Sequence, residues 1–168
     1  MRFTLIDKIT ELEAGKSVTA IKNLSLAEEY LADHFPGFPV MPGALMLETM
    51  VQASAWLMRY TEDFKYSAVL LKQARAVRFN SFVVPGQTLS VTAKVQKWGP
   101  RECVLKVVGT VAGASTVNAR LTLEQFNLSE TEPNLAESDK MRIQSQRELF
   151  AQLWSDAAAP NSEVAETE

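Results

Sequence analysis

Hydrophobic and polar residues alternate along most of the first 126 residues, and one continuous apolar run interrupts this pattern. Alternation with a period of two is typical of strands that bury one face. The predicted strands cover residues 3–10, 17–25, 67–79, 88–97, 102–111 and 115–126. The apolar run, residues 44–60, has hydrophobic side chains on nearly every side, so it is predicted to be a helix buried against the strands.

The order of these elements indicates the fold class. The first two strands are joined by a turn that contains Gly15, and they predict a hairpin. A short helix is predicted over residues 26–31, with Ser25 and Glu28 in the positions of a capping box. The long helix and then a run of antiparallel strands follow. The whole pattern predicts an α+β fold, in which an antiparallel sheet is wrapped around one central helix.

A proline-rich segment, residues 33–43, leads into the long helix and holds the only histidine of the chain, His34. The three prolines of this segment exclude regular structure and keep the loop stiff. Histidine is the only side chain whose unperturbed pKa lies near neutrality, so His34 is a candidate for proton transfer. The alternative is a surface histidine on a proline-rich loop.

The first charged residue of the long helix is Glu48, and no other charge lies within residues 44–58. A carboxyl group in such apolar surroundings must be paired, hydrogen-bonded or kept neutral by a raised pKa. His34 and Glu48 are therefore predicted to form an acid–base pair. The alternative for Glu48 is a position at the edge of the helix, from which its carboxylate reaches water.

Residues 34–43 read His-Phe-Pro-Gly-Phe-Pro-Val-Met-Pro-Gly, and an apolar helix that carries Glu48 follows them. This motif resembles the active-site signature of the β-hydroxyacyl-acyl carrier protein dehydratases. Two further segments are similar to the same family: residues 74–86 to a strand and turn, and residues 3–9 to its first strand. The resemblance covers residues 3–126 and implies the hotdog fold.

The resemblance also implies an activity: dehydration of (3R)-3-hydroxyacyl-acyl carrier protein thioesters to trans-2-enoyl thioesters in fatty-acid synthesis, without a cofactor or metal. This reaction removes a weakly acidic proton at C2 and expels hydroxide, a poor leaving group, from C3, so it needs a general base and a general acid. His34 fits the base, and Glu48 fits the acid if its surroundings keep it protonated. Glutamate at this position resembles the dehydratase branch of the family, since the dehydratase-isomerase branch carries aspartate there.

Two backbone groups of the motif have expected supporting roles. Gly43 begins the helix, where unpaired N–H groups and the helix dipole favour negative charge, so its N–H is the predicted donor to the thioester oxyanion. The resemblance implies that the carbonyl of Val40 accepts a hydrogen bond from His34 and fixes its tautomer. Gln52, one turn beyond Glu48, either hydrogen-bonds to Glu48 or is a core glutamine.

An acyl chain needs an apolar tunnel, and hydrophobic residues near the motif are candidates for lining it, although most such residues in proteins are ordinary core. The candidates are Phe35, Phe38, Met41, Leu45 and Val83. Phe38 occupies a position that the family often fills with Arg or Lys. That difference leaves the preferred chain length open.

The partner implied by the resemblance is an acidic acyl carrier protein, whose 4′-phosphopantetheine arm holds the acyl chain. Lys72, Arg75 and Arg78 lie near the site on a predicted strand and either dock this carrier or are ordinary solvated charges. Sites of the family are shared between subunits. The resemblance therefore implies a homodimer, or a trimer of such dimers.

Two other functions stay open on the sequence. A hotdog thioesterase would hydrolyse the same thioester with a helix carboxylate, but it would not need the His-Phe-Pro-Gly loop. A non-catalytic subunit that binds acyl carrier would account for a C-terminal extension and for a more basic docking surface, where Lys72, Gln73 and Gln87 replace residues that are often acidic in the family. Such a subunit would be expected to lack His34 or Glu48, and both residues are present.

The domain organisation expected is a hotdog dehydratase domain over residues 1–126, followed by an extension that the resemblance does not cover. Residues 127–138 are polar and predict a linker. Apolar residues recur at helical spacing within residues 139–157 and predict an amphipathic helix, which packs on the parent domain or a neighbouring subunit or else docks a partner. Residues 158–168 are acidic and are predicted to be disordered.

Composition agrees with one folded domain, since 168 residues with a hydrophobic fraction of 46% are enough to bury a core. A single cysteine, Cys103, excludes an internal disulfide. Met1 is followed by a charged, strand-like segment rather than by a signal peptide, so the expected location is the cytoplasm.

Charge is unevenly distributed along the chain. Residues 1–126 carry 14 Lys/Arg and 11 Asp/Glu, whereas residues 127–168 carry 3 and 9. The slight positive charge of the first part is too weak to indicate a nucleic-acid partner. The apolar helix is shorter than the roughly 20 residues that cross a bilayer, so no membrane span is expected.

Overall fold

A computed structural model describes residues 3–154 and shows six strands and two α-helices. Their bounds are β1 Lys8–Glu13, β2 Ser17–Asn23, α1 Gly43–Thr61, β3 Ala68–Phe79, β4 Thr88–Trp98, β5 Glu102–Val111, β6 Ala114–Phe126 and α2 Ala136–Leu153. The sequence pattern predicts α1 and β2 to β6 to within two residues. The exception among the strands is β1, which covers Lys8–Glu13 rather than residues 3–10. It begins late because the N–H of Leu5 bonds to the side chain of Gln52 instead of to a strand, and it continues through Leu12 and Glu13, which pair with Val18 and Ser17 of β2.

The six strands form one antiparallel sheet in the order β1-β2-β4-β5-β6-β3, so β1 and β3 are its edges. Side chains that point toward α1 from the central strands, such as Val91, Leu105 and Leu121, have no solvent exposure. The sheet surrounds α1 with this apolar face, as the alternating sequence pattern predicts. Neither helix in residues 3–154 is long and apolar enough to cross a bilayer.

The central helix α1 is held by burial on several sides. Met50, Ala53 and Leu57 follow one another at helical spacing and have no solvent exposure. Burying a Met or Leu side chain fully is worth about 1.5–3 kcal/mol. The two buried hydroxyl groups of α1, on Thr49 and Ser54, each donate to a backbone carbonyl one turn earlier at 2.8 Å, so neither is left unpaired.

The segment between β2 and α1 contains a single 3₁₀ turn, Glu29–Leu31, where a short helix is predicted. The predicted capping box is wrong as well. Glu28 does not cap the turn but pairs with the buried ammonium group of Lys22, with Nζ and Oε1 2.6 Å apart. A buried cation is costly without a carboxylate partner, and this need takes Glu28 away from the turn.

The C-terminal extension packs against α1 through an aromatic cluster. Phe150 of α2 is buried, and its ring centroid lies 5.9 Å from that of Trp56, 5.4 Å from that of Tyr60 and 5.3 Å from that of Phe64. Leu153 at the end of α2 is buried too, and both side chains belong to the same core as the sheet. The extension therefore packs on its own parent domain.

The start of the extension differs from the polar linker that the sequence predicts. Residues 128–130 and 133–135 form 3₁₀ turns, and α2 begins at Ala136, three residues before its predicted start. The helix ends at Leu153, four residues before its predicted end at residue 157, and the predicted disordered tail, residues 158–168, lies outside the described residues.

Asp139 explains why this segment is folded rather than a flexible linker. Its buried carboxylate accepts hydrogen bonds from the hydroxyl of Ser67 and from the N–H groups of Leu128 and Ser129, the latter two at 3.0 and 2.9 Å. Burial acts to raise the pKa of Asp139, but these hydrogen bonds outweigh burial and hold the pKa well below its usual range. The carboxylate therefore fastens the start of α2 to the segment that precedes β3.

Acid is expected to weaken this attachment. A carboxyl group whose pKa is depressed in the folded state stabilises the fold above its unfolded pKa of about 3.9, and this contribution is lost as the pH falls toward the folded-state pKa. Asp139→Asn should therefore lower the melting temperature near pH 7, and the variant should lose less stability than wild type on acidification to about pH 3. Circular dichroism melts measure both effects, with the exposed Glu137→Gln as matched control. Equal losses in wild type and Asp139→Asn would contradict the role of this carboxylate.

Candidate active site

His34 is half-buried in the proline-rich segment and is held from two directions. Its Nδ1 lies 3.0 Å from the carbonyl oxygen of Val40, and the N–H of Val40 donates to the carbonyl of His34 at 3.2 Å. Because a carbonyl can only accept, Nδ1 must carry the proton in this contact, and the other ring nitrogen, Nε2, is left able to accept one. The loop thus presents His34 as a base of fixed orientation.

The ring of His34 opens into a largely apolar cavity of about 350 Å³, a size typical of small-molecule sites. The loop before α1, the first turn of α1 and the segment after β3 contribute its walls. The lining residues are His34, Phe35, Val40, Met41, Gly43, Met46, Phe79, Asn80, Ser81 and Phe82.

Gly43 places the start of α1 at this cavity. The N–H groups of Leu45 and Met46 both donate to the carbonyl of Pro42, so the N–H of Gly43 precedes the first hydrogen bonds of the helix. A side chain at position 43 would lie 3.1 Å from two ring carbons of Phe79, which is closer than side chains normally pack. Glycine thus lets the backbone meet the cavity wall without displacing the Phe79 ring.

Glu48 and Gln52 form a second arrangement on α1. The amide nitrogen of Gln52 donates to Glu48 Oε1 and to the carbonyl of Phe3, each at 2.9 Å, while its oxygen accepts from the N–H of Leu5 at 2.9 Å. The hydrogen-bonded alternative for Gln52 is confirmed, and the core alternative is wrong because both side chains are half-buried. Gln52 holds one oxygen of the Glu48 carboxyl in place.

A single chain does not bring Glu48 into the cavity of His34. Glu48 is absent from the cavity lining, whereas Gly43 and Met46 of the same helix are part of it. At about 100° of rotation per residue, Glu48 projects from α1 about 140° away from Gly43. The predicted acid and base thus face different regions of one subunit.

The tunnel candidates separate into two groups. Phe35 and Met41 line the cavity, whereas Phe38, Leu45 and Val83 do not. Val83 is fully buried, and its carbonyl accepts a hydrogen bond from the N–H of Met41 at 2.9 Å, so its role is to hold the loop against the core. Phe38 is exposed and packs edge-on against Phe82 with the ring centroids 5.8 Å apart.

The three residues predicted to dock the carrier, Lys72, Arg75 and Arg78, differ in whether they pair with acids of the same chain. Lys72 is exposed, pairs with Glu102 and lies 3.9 Å from a carboxylate oxygen of Glu124, so a carrier would have to compete with these two acids for it. Its role in docking a carrier stays a prediction. Arg75 and Arg78 are exposed, and neither forms an ion pair with another residue of the described range.

The sequence analysis missed part of the cavity wall, namely Met46 and the segment from Phe79 to Phe82. Phe79 and Phe82 are 51% and 62% exposed, although they are large and apolar. Two phenylalanines around an Asn-Ser pair, at the end of a predicted strand and shortly before the turn at Gly86, are the signal in the sequence that could have identified this wall.

Residues 3–154 offer little support for a metal site or for a cysteine nucleophile. No cluster of His, Cys, Asp and Glu in this range could hold a metal ion. Burial raises the pKa of the Cys103 thiol to about 12, which disfavours the thiolate that a cysteine nucleophile requires. His34 remains the side chain best suited to proton transfer at the cavity.

Comparison with known sequences identifies relatives. Residues 1–123 match the model of the FabA-like domain family. The 3-hydroxyacyl-[acyl-carrier-protein] dehydratase FabZ of Ruminiclostridium cellulolyticum is 36% identical over 124 residues, covering 71% of this chain and 87% of that protein. The FabZ of Listeria monocytogenes is 37% identical over 119 residues, covering 71% and 83%. The chain spans 66% of the FabZ of Wolbachia pipientis, with 39% identity over 94 residues.

Comparison with solved structures bears on the fold. The dehydratase heterocomplex ApeI:P from Xenorhabdus doucetiae matches with a TM-score of 0.65 at 19% identity, covering 80% of this chain and 90% of that chain. A hypothetical thioesterase from Streptococcus pneumoniae matches with a TM-score of 0.52 at 14% identity, covering 70% and 84%. Proteins named for different activities thus share the fold, so the structural likeness confirms the hotdog fold and nothing finer. The match of the FabA-like model to most of the chain, together with the FabZ relatives, shows that the chain belongs to the β-hydroxyacyl-acyl carrier protein dehydratase family.

Proposed function

We propose that this protein is a cytoplasmic 3-hydroxyacyl-[acyl-carrier-protein] dehydratase of fatty-acid synthesis. The observation that carries the proposal is the apolar cavity in which His34, oriented by the carbonyl of Val40, lies beside the first turn of α1 at Gly43. A base of fixed orientation next to free helix N–H groups suits removal of a proton adjacent to a thioester. The names of the relatives, all dehydratases of this kind, support the same activity.

In the proposed reaction, Nε2 of His34 removes one proton from C2 of the substrate. The negative charge that develops on the thioester oxygen is stabilised by the N–H of Gly43, and removing one such donor typically costs about 10²–10³ in rate. Glu48 gives its proton to the C3 hydroxyl, which leaves as water while the C2–C3 double bond forms. His34 ends protonated and Glu48 ends ionised, so transfer of one proton between them restores the site.

The proposed mechanism uses two copies of the chain, and the absence of Glu48 from the lining of the cavity in its own subunit supports this arrangement. Within residues 3–154, the 12-residue edge strand β3 pairs with β6 alone, and large apolar side chains along it and just beyond it are exposed. These side chains are Leu70, Leu71, Phe79 and Phe82. A long edge strand of this kind invites pairing with another chain. We propose a homodimer that covers this edge and brings Glu48 of each subunit to His34 of the other; the trimer of dimers stays a prediction.

The substrate is proposed to arrive on an acyl carrier protein through its 4′-phosphopantetheine arm. Phe35 and Met41 line the cavity and would contact the acyl chain. Arg78 lies one position before Phe79, which is part of the cavity wall, and Arg75 lies on the same strand, β3. Both arginines are exposed and available to an acidic carrier, whereas Lys72 is held by its own acidic neighbours.

Intact-mass spectrometry of the carrier tests this function. The protein is incubated with (3R)-3-hydroxyacyl-acyl carrier proteins of several chain lengths, and the mass of each loaded carrier is followed. A dehydratase removes one water while the thioester survives, so the carrier becomes lighter by about 18 Da. Loss of the whole acyl group would identify a thioesterase instead. An unchanged mass at every chain length would identify a non-catalytic subunit.

Gln52 is expected to act as a positioning residue for Glu48. Gln52→Leu removes the hydrogen bond to Glu48, and one hydrogen bond to a carboxyl group is worth about 1.5 kcal/mol, or roughly tenfold in rate. We expect kcat to fall by about tenfold with KM little changed, since Gln52 holds the acid and does not line the cavity. Steady-state kinetics measure this, with the exposed Gln96→Leu as matched control. A rise in KM at constant kcat would show that Gln52 serves substrate binding instead.

A further inference from the structure

Ala76, a residue inside strand β3, has a left-handed backbone conformation, with a φ of +50°. Within the part of the chain that the structure describes, the other non-glycine residues with a positive φ are Asp63, Phe64 and Ala112, and all three lie in turns. In the left-handed region the Cβ atom crowds the backbone, so a non-glycine residue persists there only when its surroundings impose it. Such outliers cluster at functional sites, and Ala76 lies close in sequence to Phe79 of the cavity wall.

Ala76 belongs to a β-bulge. The register of β3 against β6 shifts between Arg75 and Arg78, where two residues of β3 lie opposite Ala119 alone. Of these two, Ala76 is exposed, whereas Val77 packs partly buried against the core. A bulge of this kind adds one residue to a strand and so changes the face of the sheet on which the following residues lie.

The bulge decides on which face of the sheet Phe79 lies. Phe79 pairs with Val117, which has no solvent exposure and belongs to the core around α1, so Phe79 points to the same side. Arg75 pairs with the exposed Arg120 on the outer face. Without an extra residue between them, alternation would place Arg75 and Phe79 on one face, because their positions differ by an even number. The bulge at Ala76 therefore turns Phe79 toward the cavity.

The ring of Phe79 covers the backbone of Gly43. A Cβ atom at position 43 would lie 3.1 Å from two carbons of this ring, so the ring fills the space beside the start of α1. The N–H of Gly43 precedes the first hydrogen bonds of the helix and is the proposed donor to the thioester oxygen. Hydrogen bonds to a developing charge are worth more where water is excluded, and the Phe79 ring occupies one side of this donor.

We propose that Ala76 and Phe79 are positioning residues for dehydration, a role that rests on the proposed function. The bulge at Ala76 holds the Phe79 ring against Gly43, and the ring keeps the thioester close to the Gly43 N–H. Ala76 acts only through Phe79, since it does not line the cavity. Small misplacements at a reacting centre are costly, and about 1 Å can cost about 10²-fold in rate, so the effect is expected in kcat.

Valine at position 76 tests the role of the bulge, because a β-branched side chain disfavours the left-handed conformation. Ala76→Val should lower kcat by about tenfold, with KM changed less. Ala112→Val is the matched control, because it places the same strain in the exposed turn between β5 and β6, outside the cavity lining. Both variants should melt at a lower temperature, but Ala112→Val should keep wild-type activity. Equal kcat values in the two variants would overturn the proposal.

Glycine at the same two positions gives the converse test of the backbone conformation. Ala76→Gly and Ala112→Gly remove the Cβ atom that makes a positive φ costly, so both should melt at a higher temperature and remain active. A lower melting temperature for Ala76→Gly would overturn the proposal, since the left-handed bulge would then not be the native conformation.

The NMR signals of the Gly43 Hα protons report the position of the Phe79 ring without any catalysis. A nearby aromatic ring displaces proton resonances, so these signals should move in Phe79→Ala and in Ala76→Val and stay at their wild-type positions in Ala112→Val. Unmoved signals in Ala76→Val would overturn the proposal. If the wild-type protein dehydrates no carrier-linked substrate, the proposed function fails, whereas these signals still decide whether the bulge positions Phe79.

Sedimentation separates this role from assembly, because β3 is also an edge strand of the sheet. Ala76→Val should have the same oligomeric state as the wild-type protein at micromolar concentration. If it loses that state together with its activity, while the Gly43 signals stay in place, the bulge serves assembly and the proposal is overturned.

Discussion

Dehydration of the carrier-linked substrate falls by about 10³-fold or more when His34 is replaced with alanine or Glu48 with glutamine. His34→Ala removes the nitrogen that takes the C2 proton, and Glu48→Gln replaces the acid that protonates the leaving hydroxyl with an amide that cannot do so. Because the two residues act on one substrate as a unit, the double variant should be little slower than either single variant. Intact-mass spectrometry of the carrier at timed intervals gives the rates.

Folding controls accompany this experiment. His34 and Glu48 are both half-buried and neither belongs to the hydrophobic core, so their replacement should shift the melting temperature only slightly. Gln96→Leu, an exposed change outside the site, provides the reference activity. A rate within tenfold of wild type for either single variant would eliminate the proposed acid–base mechanism.

The fold could be predicted from the sequence because its main signals are local. Alternation with a period of two marks each strand, and the uninterrupted apolar run of α1 marks a helix that is buried on several sides. The predictions fail where a distant residue decides the local structure. Gln52 binds the backbone of Leu5, and Asp139 binds Ser67 and the N–H groups at residues 128 and 129. No pattern in the polar segments themselves reveals these partners.

In the candidate site, too, the types of the key residues could be predicted from the sequence, but their positions relative to one another could not. His34, the single histidine in a proline-stiffened loop, and Glu48, a single carboxylate in an apolar helix, could be recognised as candidate catalytic residues from their residue type and their neighbours in the sequence. Spatial relations do not follow from residue type. Lys72 lies beside acids from β5 and β6 because strands remote in sequence pair in the sheet. Val83 is buried behind the loop. Whether Glu48 serves its own His34 is likewise decided by the three-dimensional arrangement.

The extension shows how a polar stretch can become ordered structure. Residues 127–138 look like a linker because they are rich in polar side chains. Their polar groups are used internally, since Asn127 accepts from the N–H of Ser67 at 2.8 Å and Asp139 accepts from three donors. These bonds bring Phe150 onto the aromatic side chains of α1. The extension is thus an added layer on the family domain.

Mixing the two inactive variants tests the central claim, that His34 of one subunit works with Glu48 of the other. After subunit exchange between His34→Ala and Glu48→Gln homodimers, half of the dimers contain one of each chain. Each mixed dimer has one site with both residues intact and one site with neither, so about a quarter of wild-type activity should return. Exchange is followed by mass spectrometry of differently tagged subunits, and His34→Ala mixed with the double variant is the control that should stay inactive.

The return of activity in the first mixture alone is the result that the shared site predicts. Mixed dimers that form and remain inactive would place His34 and Glu48 of the working site in one chain. A protein that sediments as a monomer at micromolar concentration and still dehydrates its substrate would contradict the shared site altogether.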